Sequence, residues 1–162
     1  MNRAIKHTAG RAAVAVLPVV TVLILGQLAT YPNLTPWYAS LAKPSFNPPN
    51  WIFGPVWSTL YVLMIIAAWR VLRLPDVTSG RRLALTLFFN QLALNGLWSW
   101  MFFGLQSPAL GLFNIIPQLI LICATAIGFW KLDRFAAACM MPLAAWVAFA
   151  MLLNIEIWRL NG

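Results

Sequence analysis

Charge is what this sequence has least of. Only 9% of its residues are Asp, Glu, Lys or Arg, against about a quarter in an ordinary soluble domain. Acids are scarcest: Asp76, Asp133 and Glu156 are all three. With 62% of 162 residues hydrophobic, too little polar surface remains to cover a body of this size in water, so the chain is built for a bilayer. The acids are scattered over connectors and a helix end. That removes paired-carboxylate acid–base chemistry and the intramembrane carboxylate of an ion-coupled pump. The one histidine, His7, stands in the basic N-terminal tail and reads as a solvated or lipid-facing residue rather than a metal ligand. The two cysteines, Cys123 and Cys139, lie in apolar runs without a Cys or His at ligand spacing. Both read as buried small hydrophobes, and no metal site is expected. The net charge of +8 is no nucleic-acid footprint, because the basic residues punctuate apolar runs instead of lining one face.

What is present is a series of apolar runs, each near the ~20 residues needed to cross a hydrocarbon core. The pattern predicts an all-α fold: a single domain, an integral membrane bundle of five transmembrane helices at about 12–29, 51–72, 83–103, 109–130 and 135–158, with a proline-rich cap loop at about 30–50. A basic start before an apolar run also describes a signal peptide. This run is longer than a typical apolar signal core and no clear A-x-A site follows, so it reads as the first span, with Pro18 as a kink. No internal repeat suggests paired transporter halves.

The organising stretch is WYASLAKPSFNPPNWIFGPVWSTLY, Trp37 to Tyr61. Pro44, Pro48, Pro49 and Pro55 fix φ, remove donors and restrict the residues before them. The stretch cannot begin as a regular helix and is expected to fold as a rigid cap before the second helix takes over near Trp51. Lys and Arg counts orient the bundle. Nine lie in the N-terminal tail and the second–third and fourth–fifth connectors, and two, Lys43 and Arg159, on the other side, which accounts for all 11. In a bacterial cell membrane this split puts the N-terminus in the cytoplasm and the loop and C-terminus outside.

Polar groups inside spans face the bundle interior. The third helix carries Gln91, Asn95, Trp98 and Phe102 on one stripe, the fifth Trp146, Ala150 and Asn154, the second Trp57 and Tyr61, the fourth Asn114 and Gln118. Asn90, Asn114 and Gln118 read as interhelical glue. Trp69, Trp130 and Trp158, at helix ends, read as an interfacial belt. Trp57, Trp98 and Trp146 with Asn95 and Ala150 fit the wall of an apolar cavity with a few orienting polar groups. Glu156 and Arg159, three apart, are expected to pair.

Three runs carry a family resemblance: the proline-rich stretch, QLALNGLWSWMFFG in the third helix and PLAAWVAFAMLLNIEIWRLN in the fifth. Together they resemble the TspO/MBR family, the tryptophan-rich sensory proteins and the mitochondrial translocator protein, over roughly Trp37 to Asn161. The resemblance implies a five-helix bundle that binds tetrapyrroles, porphyrin or haem, beneath the first loop, with a regulatory, sensing or protective role. No further cofactor is implied. It places ligand contacts at Trp37, Trp57, Asn95, Trp146 and Ala150, to which the stripes add Tyr61 and Trp98. It implicates Trp57 and Trp146 in light-dependent oxidative breakdown of protoporphyrin. Alternative readings are a lipid or small-molecule transporter and a light-dependent porphyrin-degrading enzyme. Two departures bear on partners. Ile155 stands where the family's sterol-recognition pattern needs Tyr, so no sterol is expected. Family homodimers pack through the third helix on small residues; here Gly96 and Gly104 are separated by Trp100, which leaves no tight small-residue patch.

Overall fold

The computed structural model describes Asn2–Gly162, with side chains described from Thr8 onward. The expectations for Arg3, Lys6 and His7 as side chains lie outside the described residues. Five α-helices form, and no strand among the described residues: α1 Asn2–Asn33, α2 Asn50–Leu72, α3 Arg81–Ser99, α4 Pro108–Trp130 and α5 Arg134–Asn161, with π-helical turns at Leu34–Tyr38 after α1 and Trp100–Gly104 after α3.

Local chemistry sets the ends. Ser107 accepts the Leu110 N–H at 3.2 Å, with Pro108 in the first turn behind it, the favoured pairing at a helix start. Asp133 accepts the Ala136 N–H at 3.0 Å and takes Arg70 Nε at 2.8 Å. Partial burial pushes its carboxyl up, but the Ala136 N–H, the Arg70 hydrogen bond and charge, and the Phe135 N–H outweigh that and hold it below the usual carboxylate range. Gly80, at φ +79°, supplies the left-handed turn before α3.

Two boundaries differ from expectation. Residues 30–38, expected in the loop, are helical: α1 runs through Pro18 and Pro32 and closes in the π-helical turn. The break comes at Thr35, which adopts φ −134°, ψ 128° ahead of Pro36, the extended conformation a pre-proline residue prefers. Tyr38 is then buried against Phe102 and Phe103, and that burial favours the compact turn over open loop. Loop structure proper is confined to about 41–49.

Among the described residues, four segments are long and apolar enough to cross a membrane: Thr8–Tyr38, Asn50–Leu72, Pro108–Trp130 and Arg134–Asn161. α3 is the exception, because its 19 residues begin with two arginines and include Asn90, Gln91 and Asn95.

The helices close a ring in the order α1–α2–α5–α4–α3. Arg11 meets Asp76 at 3.5 Å and Arg70 meets Asp133 at 2.8 Å, which gathers the start of α1 and the 2–3 and 4–5 connectors at one end. At that connector end the ring is filled by Met64, Ala67, Val71, Phe88, Phe129 and Met140, all fully buried, with Phe88 and Phe129 stacked at 5.9 Å. Small residues permit the closest approaches. A Cβ on Gly96 would meet Val22 of α1 at 3.2 Å, and one on Gly111 would meet Asn154 Oδ1 at 2.7 Å and Phe102 at 2.8 Å. Gly96 thus serves packing within the ring.

Of the expected interhelical amides, Asn114 donates to the Leu94 carbonyl at 2.9 Å and joins α4 to α3. Asn90 is exposed on the outer face of α3 instead, one residue off the buried stripe. Cys139 is buried but Cys123 faces outward, because its position falls between the buried Ile122 and Thr125–Ala126 pair on α4. Glu156 and Arg159 pair at 2.7 Å.

Candidate functional site: an aromatic cavity at the loop end

At the loop end the ring is hollow. A cavity of about 520 Å³ lies between the helices, within the ~300–1,000 Å³ range of small-molecule sites. Its size follows from the residues around it. Tryptophan and phenylalanine rings form much of its wall, whereas Met64, Ala67, Phe88, Phe129 and Met140 fill the other end.

Six of the seven residues singled out from sequence line this cavity: Trp57 and Tyr61 from α2, Asn95 and Trp98 from α3, Trp146 and Ala150 from α5. Trp37 does not. Its ring packs edge-on against Phe102 at 5.5 Å and Phe103 at 6.2 Å, and those two phenylalanines form the wall. Trp37 therefore stands behind the lining and sets its position.

Hydrogen bonds fix the polar members. Tyr61 donates its hydroxyl to Asn95 Oδ1 at 2.8 Å, tying α2 to α3, while the Asn95 NH₂ has no hydrogen-bond partner among the described residues. Trp98 donates its indole N–H to Asn154 Oδ1 at 3.2 Å, while Asn154 Nδ2 donates to the Pro108 carbonyl at 2.7 Å. Asn154 thereby joins α3, α4 and α5 in the cavity wall, and Trp98 is held stacked on Phe102 at 4.9 Å. Trp57 lies 5.6 Å from Tyr61, and Trp146 packs against Phe53 at 5.8 Å and Phe149 at 5.6 Å. Among the described residues, neither the Trp57 nor the Trp146 indole N–H is engaged by the protein. Gln91, one turn below Asn95, is fully buried beside Met64, with its Oε1 unpartnered, and does not reach the cavity.

Among the described residues, the lining contains no charged residue and no His, Cys or Met. It offers flat apolar walls and N–H donors from indole and amide groups. That suits a planar, largely apolar ligand bearing hydrogen-bond acceptors.

Sequence reasoning missed the α1 wall, Gln27, Thr30 and Tyr31, as well as Phe53 and Phe103. The 27–30–31 spacing was a usable signal, since it puts polar groups on one face of an otherwise apolar helix. Gln118, read as glue, is instead a buried member of the cavity wall.

An all-helical bundle with apolar outer faces and an aromatic cavity at one end defines a multi-helix membrane protein. The chain belongs to the TspO/MBR family, whose family model matches residues 14–159. It is 42% identical over 125 residues to protein CrtK of Rhodobacter capsulatus, covering 77% of this chain and 78% of that one. It is 38% identical over 151 residues to the tryptophan-rich protein TspO of Archaeoglobus fulgidus, covering 91% and 95%. It is 37% identical over 126 residues to the human translocator protein, covering 77% and 75%.

Proposed function

We propose that this protein binds tetrapyrroles, porphyrin or haem, in the loop-end cavity, and that binding serves a regulatory, sensing or protective role in tetrapyrrole handling. The observation that carries the reading is the cavity's make-up: about 520 Å³, walled by Trp57, Trp98, Trp146, Phe102 and Phe103, with no charged lining residue. A planar macrocycle gains from offset or edge contacts with these rings. Its ring nitrogens and peripheral oxygens find the free Trp57, Trp146 and Asn95 donors, and its ionised carboxylates stay at the mouth, since burying them unpaired is costly. Trp57 and Trp146 at the wall also put oxidisable indoles beside an excited ring, which favours light-dependent porphyrin breakdown as a second reading.

All five helices span the membrane in this proposal, α3 included, because its Gln91 and Asn95 are buried in the ring and the lipid does not meet them. The nine-to-two division of Lys and Arg then gives a cytoplasmic N-terminus in a bacterial cell membrane. The test is titration of purified protein with protoporphyrin IX, haem and a sterol, followed by tryptophan quenching. Saturable quenching by the two tetrapyrroles supports the reading. Quenching by the sterol alone, or by none of the three, overturns it.

A further inference from the structure

The cavity has a mouth with two rims. On one side stand Tyr31, Thr35 and Ala39, from the end of α1 and its π-helical turn. On the other stand Asn50, Trp51 and Gly54, from the start of α2. All six are exposed, Tyr31 at 68% and Trp51 at 73%, and a Cβ on Gly54 would meet nothing within 4 Å. Between Ala39 and Asn50 the chain does not line the cavity. It runs across α5 instead, with Phe46 against Phe149 at 6.3 Å.

One residue ties this strap down by hydrogen bonds at both of its groups. Asn161, in the last turn of α5, accepts the Ala42 N–H on Oδ1 at 2.9 Å and donates Nδ2 to the Ala42 carbonyl at 2.9 Å. The same Nδ2 also donates to the Ile157 carbonyl at 2.7 Å, which locks the side chain in the orientation the clamp needs. Within the strap, Asn47 N–H bonds the Pro44 carbonyl at 3.0 Å and Tyr38 donates to Asn47 Oδ1 at 3.4 Å. Lys43 bonds the Leu41 carbonyl at 3.0 Å and lies 4.6 Å above the Tyr38 ring. These contacts hold the strap's own shape, while the Asn161 clamp holds it against α5. Because the strap links the two rims, its seat on α5 bears on how far apart they stand.

We propose that Asn161 is a positioning residue for ligand exchange: by clamping Ala42 it anchors the strap and so fixes the width of the cavity mouth. Release of the clamp frees the strap from α5 and lets the rims part, with the cavity walls untouched. The proposal rests on the reading that the ligand occupies this cavity.

The experiment is stopped-flow tryptophan quenching with protoporphyrin IX on the full chain in nanodiscs, for wild type, Asn161→Ala, Asn161→Asp and Gly54→Phe. Loss of two exposed hydrogen bonds is expected to raise rates roughly fivefold or more above wild type. Asn161→Ala is expected to raise the association and dissociation rate constants together by about that factor, with the equilibrium constant within about twofold. Asn161→Asp keeps the acceptor for the Ala42 N–H, loses the donor and falls between. Gly54→Phe, which fills the mouth, slows both rates. Amide hydrogen exchange at Ala42 reports the clamp directly and speeds up in Asn161→Ala. Absence of saturable binding by wild type would sink the tetrapyrrole reading itself. Normal wild-type binding with unchanged rates in Asn161→Ala, despite faster Ala42 exchange, overturns the clamp as a control of exchange. So does weaker binding carried by faster dissociation alone, with the association rate constant unchanged, which would make Asn161 a structural support of the wall.

Discussion

Indole has two separate uses in this chain, and position decides between them. Trp57 and Trp146 line the cavity with unengaged N–H groups, whereas Trp130 is 57% exposed at the end of α4, with the Arg134 guanidinium 5.5 Å from its ring. Aromatic contacts are worth about 0.5–1.5 kcal/mol beyond area burial, so removing one ring from the cavity is expected to weaken porphyrin binding about three- to tenfold. Trp57→Ala should lose more than Trp57→Phe, Trp146 should behave likewise, and Trp130→Phe should leave affinity alone. Illuminated turnover measured on the same variants should fall further than binding in the Phe variants, because phenylalanine is much harder to oxidise. Equal losses at Trp130 and Trp57 would put the ligand elsewhere. Ala150, one turn from Trp146, makes a matching steric test: Ala150→Thr adds bulk to the wall and should weaken binding while the thermal transition stays in place. The stripes at three- and four-residue spacing made these positions legible, since helical period alone brings Trp146 and Ala150, or Asn95 and Trp98, to one face. Trp37 was not legible in the same way. It follows Thr35, where the backbone leaves regular helix, so its direction depends on how that turn packs on Phe102 and Phe103, which no periodicity encodes.

Helix ends and crossings carry a different kind of information. The apolar runs made the starts of α4 and α5 legible to within a residue, and Ser107 and Asp133 cap them in the structure. The end of α1 was not, because prolines mark where hydrogen bonds are lost and leave open whether burial of Tyr38 compensates. The crossing of α4 with α5 depends on Gly111, whose missing Cβ makes room for Asn154 and Phe102. Gly111→Ala is expected to destabilise by about 1–3 kcal/mol, as overpacking does, and to break the Trp98–Asn154 bond. Gly10→Ala, where a Cβ meets nothing within 4 Å, should cost nothing. Thermal unfolding in one detergent compares the two. Asp133 gives the pH dependence. Its folded carboxyl sits below the unfolded value, so it contributes stability above the unfolded pKa of about 3.9. That contribution is lost as pH falls through the lower folded value. Asp133→Asn keeps an acceptor for the Ala136 N–H but drops the charge pairing with Arg70. It should therefore be less stable than wild type at pH 7, with the difference shrinking as the pH is lowered into the acid range. A difference that holds constant with pH would assign Asp133 a capping role alone.

The assembled ring explains why five helices and four obviously apolar ones are compatible. α3 is flanked by α1 and α4 on either side, and its amides Gln91 and Asn95 are buried inward, so part of its low hydropathy comes from groups turned into the bundle, beside the exposed Asn90 and the two leading arginines. Hydropathy averaged along a segment cannot separate those two faces; the ring can. The ends also sort by charge. Arg11, Arg70, Asp76, Arg81 and Asp133 meet at the connector end through ion pairs, and the Ala42–Asn161 clamp marks the other. If α3 spans, its two flanking turns lie on opposite sides of the membrane. If it does not, they share one. Single-cysteine variants decide the matter, with Cys123 and Cys139 replaced by Ala: Val77→Cys in the 2–3 connector and Leu105→Cys in the 3–4 turn, both at exposed positions, 94% and 65%. In intact bacterial cells an impermeant maleimide should label Leu105→Cys and leave Val77→Cys unlabelled until the membrane is opened, as the excess of Lys and Arg on the Val77 side requires. Labelling of both from outside would remove α3 from the membrane and reduce the bundle to four spans. The opposite order, Val77→Cys alone labelled, would keep five spans and reverse the orientation.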